Sequence, residues 1–330
     1  MVSVYLFVTH YKAKLTIYKI TIWSYNNTMK DPRVSDIIRP GIDGNIVVLG
    51  FPHDKGVGIN GGRMGAAHGP ARFRYWLESY GTIYNPENQI DLSSLSITDA
   101  GDIPASLSLE EAHAALAEKT QEILKVGGIP FVVGGGNDQS YPNASALLGH
   151  RVGQAVGVIN VDAHLDVRPT IEGRAHSGSP FRLLLEDPRF NGENFVEFAC
   201  QGSQCSKEHA EYVEKKSARI LWLGTALKHG EPDMAFRETL GQLNWKCPSI
   251  FVSFDLDSVR DAPGVSCPSI HGLTSHNALS IAEISGRHPA VTLFDLSEYN
   301  PVIEDERTGR LAVSMFYYFC LGFASRKKSS

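Results

Sequence analysis

Six short runs constrain this chain more than anything else in it. NIVVLGF (45–51), IPFVVG (129–134), AVGVINV (155–161), ARILWLG (218–224), SIFVSFD (249–255) and AVTLFDL (290–296) are almost continuously apolar and rich in Val, Ile and Phe. A strand with one wet face alternates polar and apolar residues. A run without alternation is expected to be buried on both faces, as in a parallel sheet. Helical patterns lie between the runs. The clearest opens at Ser108, in SLEEAHAALAEKTQEILKVGG. Ser108 and Glu111 make a capping box, Gly127 suits a left-handed turn beyond the last helical residue, and Leu109, Ala112, Leu116, Thr120 and Leu124 follow helical spacing. Strand, helix, strand implies right-handed crossovers and a layered α/β fold. No Pro/Gly/Ser-rich linker interrupts the pattern, so residues 29–330 are read as one domain. In open sheets of this kind ligands bind beyond the carboxyl ends of the strands, and chemistry is expected just after each run.

Bulk properties narrow the class. A formal charge of -5, from 31 basic and 36 acidic residues, leaves no concentrated basic face for nucleic acid. The acidic run Glu304-Asp305-Glu306 reads as a solvated loop. Five cysteines (Cys200, Cys205, Cys247, Cys267 and Cys320), odd in number and without a C-x-x-C, argue against a disulfide framework or a structural zinc site. Reduced thiols are expected, although Cys200 and Cys205 are near enough in sequence to pair. Residues 1–28 contain no acid and no arginine, and their longest apolar run, Val2 to Thr9, is too short to span a bilayer. The segment is a poor signal peptide and is set aside as an N-terminal extension. A cytoplasmic protein with no membrane partner is expected, with organellar targeting by the extension left open.

Three run ends carry the chemical signal. In VINVDAHLDVRP (158–169), Asp162, His164 and Asp166 stand two apart, so on an extended chain all three point to one side. In FVSFDLDS (251–258), Asp255 and Asp257 repeat that spacing. Four carboxylates and an imidazole delivered by buried strands would cost several kcal/mol per ion unless a cation compensates them. Oxygen ligands with one imidazole and no thiolate favour Mn²⁺ or Mg²⁺, and two dications balance four carboxylates better than one. The third end is FVVGGGNDQSY (131–141), where three glycines lead to Asn137 and Asp138.

NVDAHLD, SFDLD, GFPHDKGVGINGGRMGAAHGPARFR (50–74) and SEYNP (297–301) together resemble the ureohydrolase superfamily, the arginase and agmatinase fold, from about residue 45 to 320. The resemblance implies a three-layer α/β/α fold with a mostly parallel central sheet. It also implies two Mn²⁺ per subunit and hydrolysis of a C–N bond at an amidino or formimino carbon by metal-bridging hydroxide. It implies that Asp162 and Asp255 bridge the metals, that His164 and Asp257 complete one site and that Asp166 serves the other. Glu298 in SEYNP would anchor the amidinium-like end of the substrate.

Departures from the commonest family pattern point to a branch. Most members place a histidine ligand where Asn137 stands in a gapless alignment. Asn137 is therefore expected to be a weak or lost ligand that leaves one metal site weaker, unless the turn shifts and Asp138 reaches in. The GGG form resembles the formiminoglutamase branch, as does RAHSGSPFR (174–182). Arg168 follows DAHLD where arginases commonly carry a small polar residue, and a guanidinium offers a bidentate grip on a carboxylate. Arg168, Arg174 and Ser177 are the expected substrate-binding residues, and His176 is the expected side-chain proton donor, with Asp166 or water as substitutes. The resemblance thus implies N-formimino-L-glutamate plus water to L-glutamate plus formamide, a step of histidine degradation. The alternatives are an arginase, agmatinase or guanidino-acid hydrolase, or a silent relative that only binds. The expected partner is a small substrate bearing carboxylates, with a homo-oligomer possible by analogy with the family.

Overall fold

The computed structural model describes residues 4–5, 19–20, 31–228 and 230–326. Packing separates Met1–Pro32 from Arg33–Ser330. In the first unit Val4–Tyr5 pairs antiparallel with Lys19–Ile20; the rest of the expected extension over 1–28 lies outside the described residues.

The second unit is built on nine strands: β1 (Ile38–Pro40), β2 (Ile46–Phe51), β3 (Ile97–Asp102), β4 (Ile129–Gly134), β5 (Val156–Val161), β6 (Phe195–Cys200), β7 (Arg219–Trp222), β8 (Ser249–Asp255) and β9 (Val291–Ser297). They form one sheet in the order β7-β6-β5-β8-β9-β4-β2-β3-β1, and every pairing in it is parallel. The six apolar runs supply six of these strands. β6 (FVEFAC) is hidden in the sequence by Glu197, and β3 (ITDAGD) turns polar towards its end. The run at 218–224 yields only the short β7, because the chain turns helical at Leu223.

Alternation within each strand sends side chains to two separate cores. On one face Ile46, Val48, Phe131, Phe198, Val252 and Phe294 pack with α1 (Gly69–Leu77), α6 (Pro232–Asn244), α7 (Ser275–Arg287) and α8 (Glu306–Ala324). On the other, Val47, Leu49, Phe51, Val132, Val158 and Phe251 pack with α2 (Leu109–Lys125), α3 (Ser140–His150), α4 (Pro180–Glu186) and α5 (Lys207–Lys215). This is the expected three-layer α/β/α arrangement, and it explains the missing alternation: neither face of these strands is exposed to water, except at the edge strand β7, where Arg219 is exposed. α2 starts as its sequence indicates. Ser108 Oγ accepts from Glu111 N at 3.3 Å, while the Glu111 carboxylate accepts from Ser108 N at 2.9 Å, and Gly127 takes φ +89°. Among the described residues no helix is long and apolar enough to cross a membrane, and all five cysteines are free thiols.

Candidate metal centre

Four adjacent strands, β5-β8-β9-β4, end at one place. Asp162, His164 and Asp166 follow β5, Asp255 and Asp257 close β8, Glu298 follows β9 and Asn137 follows β4. Local turns aim the side chains. Asp162 Oδ1 accepts from His164 N at 2.7 Å, and Asp255 Oδ1 accepts from Asp257 N at 2.8 Å. Each strand-end carboxylate thus ties down its own turn and keeps residues i and i+2 on one side. Asp166 (φ +43°) and Glu298 (φ +67°) sit in the left-handed region, a strained backbone that concentrates at functional sites.

The result is two overlapping donor sets, Asp162/His164/Asp257 and Asp162/Asp166/Asp255, in each of which the ligand atoms lie within 4.8 Å of one another. Asp162 is common to both. His164 Nδ1 lies 3.1 Å from Asp257 Oδ2 and 3.4 Å from Asp162 Oδ1. The adjacent Asp257 carboxylate drives the His164 pKa well up, against burial. Burial first, then neighbouring carboxylates, raise Asp166, Asp255 and Glu298 well above the usual acid range. Burial raises Asp257 to about 6, with His164 holding it down. Asp257 Oδ1 and Glu298 Oε2 are buried with no hydrogen-bond partner. A crowd of acids that would rather keep protons, with orphaned oxygens and only the His164 imidazole among them to offset their charge, fits hard divalent cations.

Asn137 is held from both ends. Its Oδ1 accepts from Ser140 Oγ (2.9 Å) and Ser297 Oγ (3.0 Å), while Nδ2 donates to Asp166 Oδ2 (2.8 Å) and Asp162 Oδ2 (3.4 Å). The amide therefore offers the acids a donor. Asn137 N also donates to Glu298 Oε1 at 3.1 Å. Asp138 turns away to His113 Nε2 at 2.6 Å and does not join the donor sets. The three glycines before Asn137 are demanded by close approach. A Cβ on Gly135 would stand 1.9 Å from the His53 carbonyl oxygen, and one on Gly136 would stand 2.5 Å from Asp138 Oδ1.

A cavity of about 270 Å³ opens over this floor, lined by Asn137, His164, Asp166, Asp255, Asp257 and Glu298 below and by Asn60, Arg63, Arg168, Ser177, Ser266 and Cys267 around the rest. Asn60, missed in the sequence, joins two expected residues: its Oδ1 accepts from Arg168 Nη1 (3.3 Å) and its Nδ2 donates to Ser177 Oγ (3.1 Å). Two expectations need correcting. Arg174 is not brought to the cavity; it is exposed, paired with Glu172 at 3.2 Å, and lines a separate depression with Lys55 and Met64. His176 is fully buried and both ring nitrogens are engaged, Nδ1 accepting from Gly178 N at 3.2 Å and Nε2 facing Pro169 O at 2.9 Å. With Nδ1 an acceptor, Nε2 carries the proton and donates to a carbonyl, which leaves nothing for a leaving group.

Comparison with known proteins agrees with this architecture. Residues 44–322 match the model of the arginase family. A formimidoylglutamase of Aeromonas salmonicida (strain A449) is 30% identical over 293 residues, covering 86% of this chain and 88% of the relative. The crystal structure of Trypanosoma cruzi formiminoglutamase with Mn²⁺ superposes with a TM-score of 0.85 at 47% identity, covering 90% of this chain and 100% of that one. Formimidoylglutamase from Bacillus subtilis, at 23% identity and a TM-score of 0.84, shares the fold. Metal-ready acids at the ends of two adjacent parallel strands, a family match over most of the length and these likenesses converge: the chain belongs to the arginase family.

Proposed function

We propose that residues 29–330 form a single catalytic domain that hydrolyses N-formimino-L-glutamate to L-glutamate and formamide. The observation that carries this reading is the polarity of the cavity. Its floor is lined by Asp166, Asp255, Asp257 and Glu298, and its remaining wall bears two guanidiniums, Arg63 and Arg168. A substrate with a cationic amidine at one end and carboxylates at the other matches both halves. Agmatine has no carboxylate and would meet the guanidiniums with its own charge. The names of the relatives support the same substrate.

Asp162, His164, Asp166, Asp255 and Asp257 would hold two Mn²⁺ ions. When bound, such a pair lowers the pKa of water to near neutrality and polarises the substrate. Glu298, with one oxygen on Asn137 N and the other unpartnered, accepts from the formimino nitrogen and orients the carbon. Arg168 grips a carboxylate, with Ser177 and Asn60 beside it. Water adds to the formimino carbon, the bond from that carbon to the glutamate nitrogen breaks, and the nitrogen takes up a proton. With His176 sequestered, the candidates for that proton are Asp166 and water. The Asp162/Asp166/Asp255 set, where Asn137 replaces an imidazole, is the weaker of the two metal sites. Hydrolysis of a free metabolite also suits a cytoplasmic location.

The test is Mn²⁺ reconstitution followed by assay against formiminoglutamate, arginine and agmatine. Glutamate and formamide release is expected from the first, with little urea from the others. Faster urea release from arginine, or no Mn²⁺ bound at millimolar concentration, would sink the reading.

A further inference from the structure

Arg63 was not singled out by its sequence context, yet the fold fixes it in place. Arg63 Nε donates to Ser266 O at 3.0 Å and Nη2 to Val265 O at 3.0 Å, while its backbone N–H donates to Ser266 Oγ at 2.8 Å. Asn300 Nδ2 donates to the carbonyls of Arg63 (3.0 Å) and Met64 (3.1 Å), and Asp54 Oδ2 accepts from Gly65 N (2.6 Å) and Ala67 N (3.2 Å). Gly62 permits the approach, since a Cβ there would lie 2.7 Å from both Ser266 Oγ and Val57 Cγ1. The segment is therefore tied to three other parts of the chain.

The partners of this guanidinium are neutral carbonyls. Among the described residues Arg63 has no carboxylate within ion-pair distance, whereas Arg72 and Arg189 each have one and Arg74 has two. Nη1 and one Nη2 hydrogen are left without a protein acceptor. Arg168 stands in the same condition, its Nη1 on the neutral Asn60 Oδ1. Both arginines line the one cavity. A guanidinium ordered by the fold before ligand arrives spares the ordering cost of binding, and its fork suits a carboxylate.

We propose that Arg63 and Arg168 form a two-point clamp for a dicarboxylate, each guanidinium holding one carboxylate. This deepens the formiminoglutamate reading and rests on it for the identity of the diacid. Arg63 thus takes the place that the sequence suggested for Arg174, and the pair selects diacids over substrates with one carboxylate or none.

The experiment is calorimetric binding of L-glutamate, 4-aminobutyrate (no α-carboxylate) and L-2-aminobutyrate (no distal carboxylate) to the Mn²⁺-loaded full chain. L-Glutamate is expected to bind about tenfold or more tighter than either monoacid, the scale of a charge-assisted contact. R63Q should weaken L-glutamate by about tenfold and leave one monoacid unchanged, and R168Q should leave the other unchanged. R63K keeps the charge without the fork and should fall between wild type and R63Q; it carries the test if R63Q does not fold. Binding of L-glutamate by R63Q at wild-type strength, equal weakening of all three ligands, or no preference for L-glutamate in the wild type overturns the clamp. Turnover of formiminoglutamate is measured alongside. Arg63-dependent glutamate binding without turnover sinks the substrate reading and keeps the clamp; turnover with Arg63-independent binding does the reverse.

Discussion

Residues 137 and 176 show how one side chain changes meaning with its surroundings. Asn137 carries its amide nitrogen to Asp162 and Asp166 and its oxygen to two serine hydroxyls. An amide there softens the repulsion between the acids but makes a poor ligand for a transition metal beside an imidazole. Asn137→His is expected to tighten Mn²⁺ at the Asp162/Asp166/Asp255 set by roughly tenfold or more, read by calorimetric titration. Unchanged affinity would mean that position 137 does not face the cation. His176 reads as a proton shuttle from its neighbours in sequence, but its ring bridges Gly178 N and Pro169 O. His176→Asn keeps an acceptor near Gly178 and loses the second bond, so about 1 kcal/mol of stability should go while kcat/KM stays within a few-fold. A loss of about a hundredfold, more than 2.5 kcal/mol in the transition state, would restore His176 to catalysis.

Elements set the precision of the site. Each strand end hands its acid to a turn that the acid itself closes, so the spacing of two in DAHLD and SFDLD was legible without coordinates. β4 works differently. Its exit passes so close to the His53 backbone that residue 135 has no room for a side chain. Gly135→Ala should therefore cost about 2–3 kcal/mol or more, because the obstructing atom is a backbone oxygen that cannot rotate away. Thermal melting and Mn²⁺ stoichiometry should fall together. A stable variant with normal metal content would show that the exit of β4 is freer than its packing indicates. Asn60 and Arg63 left little trace in the sequence, since nothing in the spacing of GINGGRMG shows which strand end it will face. Arg174 misled for the same reason: three residues from Ser177, it points to a different depression.

At the scale of the whole molecule, a cluster of buried acids couples metal binding to pH. Asp166, Asp255, Asp257 (to about 6) and Glu298 have raised pKa values in the folded, metal-free chain, as does His164. A raised carboxylate binds more protons folded than unfolded, so its contribution to stability declines as pH rises from about 4 through the folded pKa. Raised His164 acts in the same sense above its ordinary value. His53, His150, His209 and His288 are lowered by burial and act oppositely, but they lie outside the two donor sets. The difference between Mn²⁺-saturated and chelator-treated protein isolates the site. That difference in Tm is expected to widen by several degrees from pH 5 to pH 8, because in acid the metal must displace protons. A constant difference would show that the acids are not the ligands. By itself the sequence determined the parallel α/β class, the strand ends that matter and the acids on them, because alternation, apolar run length and i, i+2 spacing are local properties of a chain. Tertiary structure alone decided which loop residues share the cavity: Arg63 and Asn60 inside, Arg174 outside and His176 sealed below. Apart from the local seal on His176, those relations join segments more than a hundred residues apart, and only packing the sheet between its helices sets the distances between them.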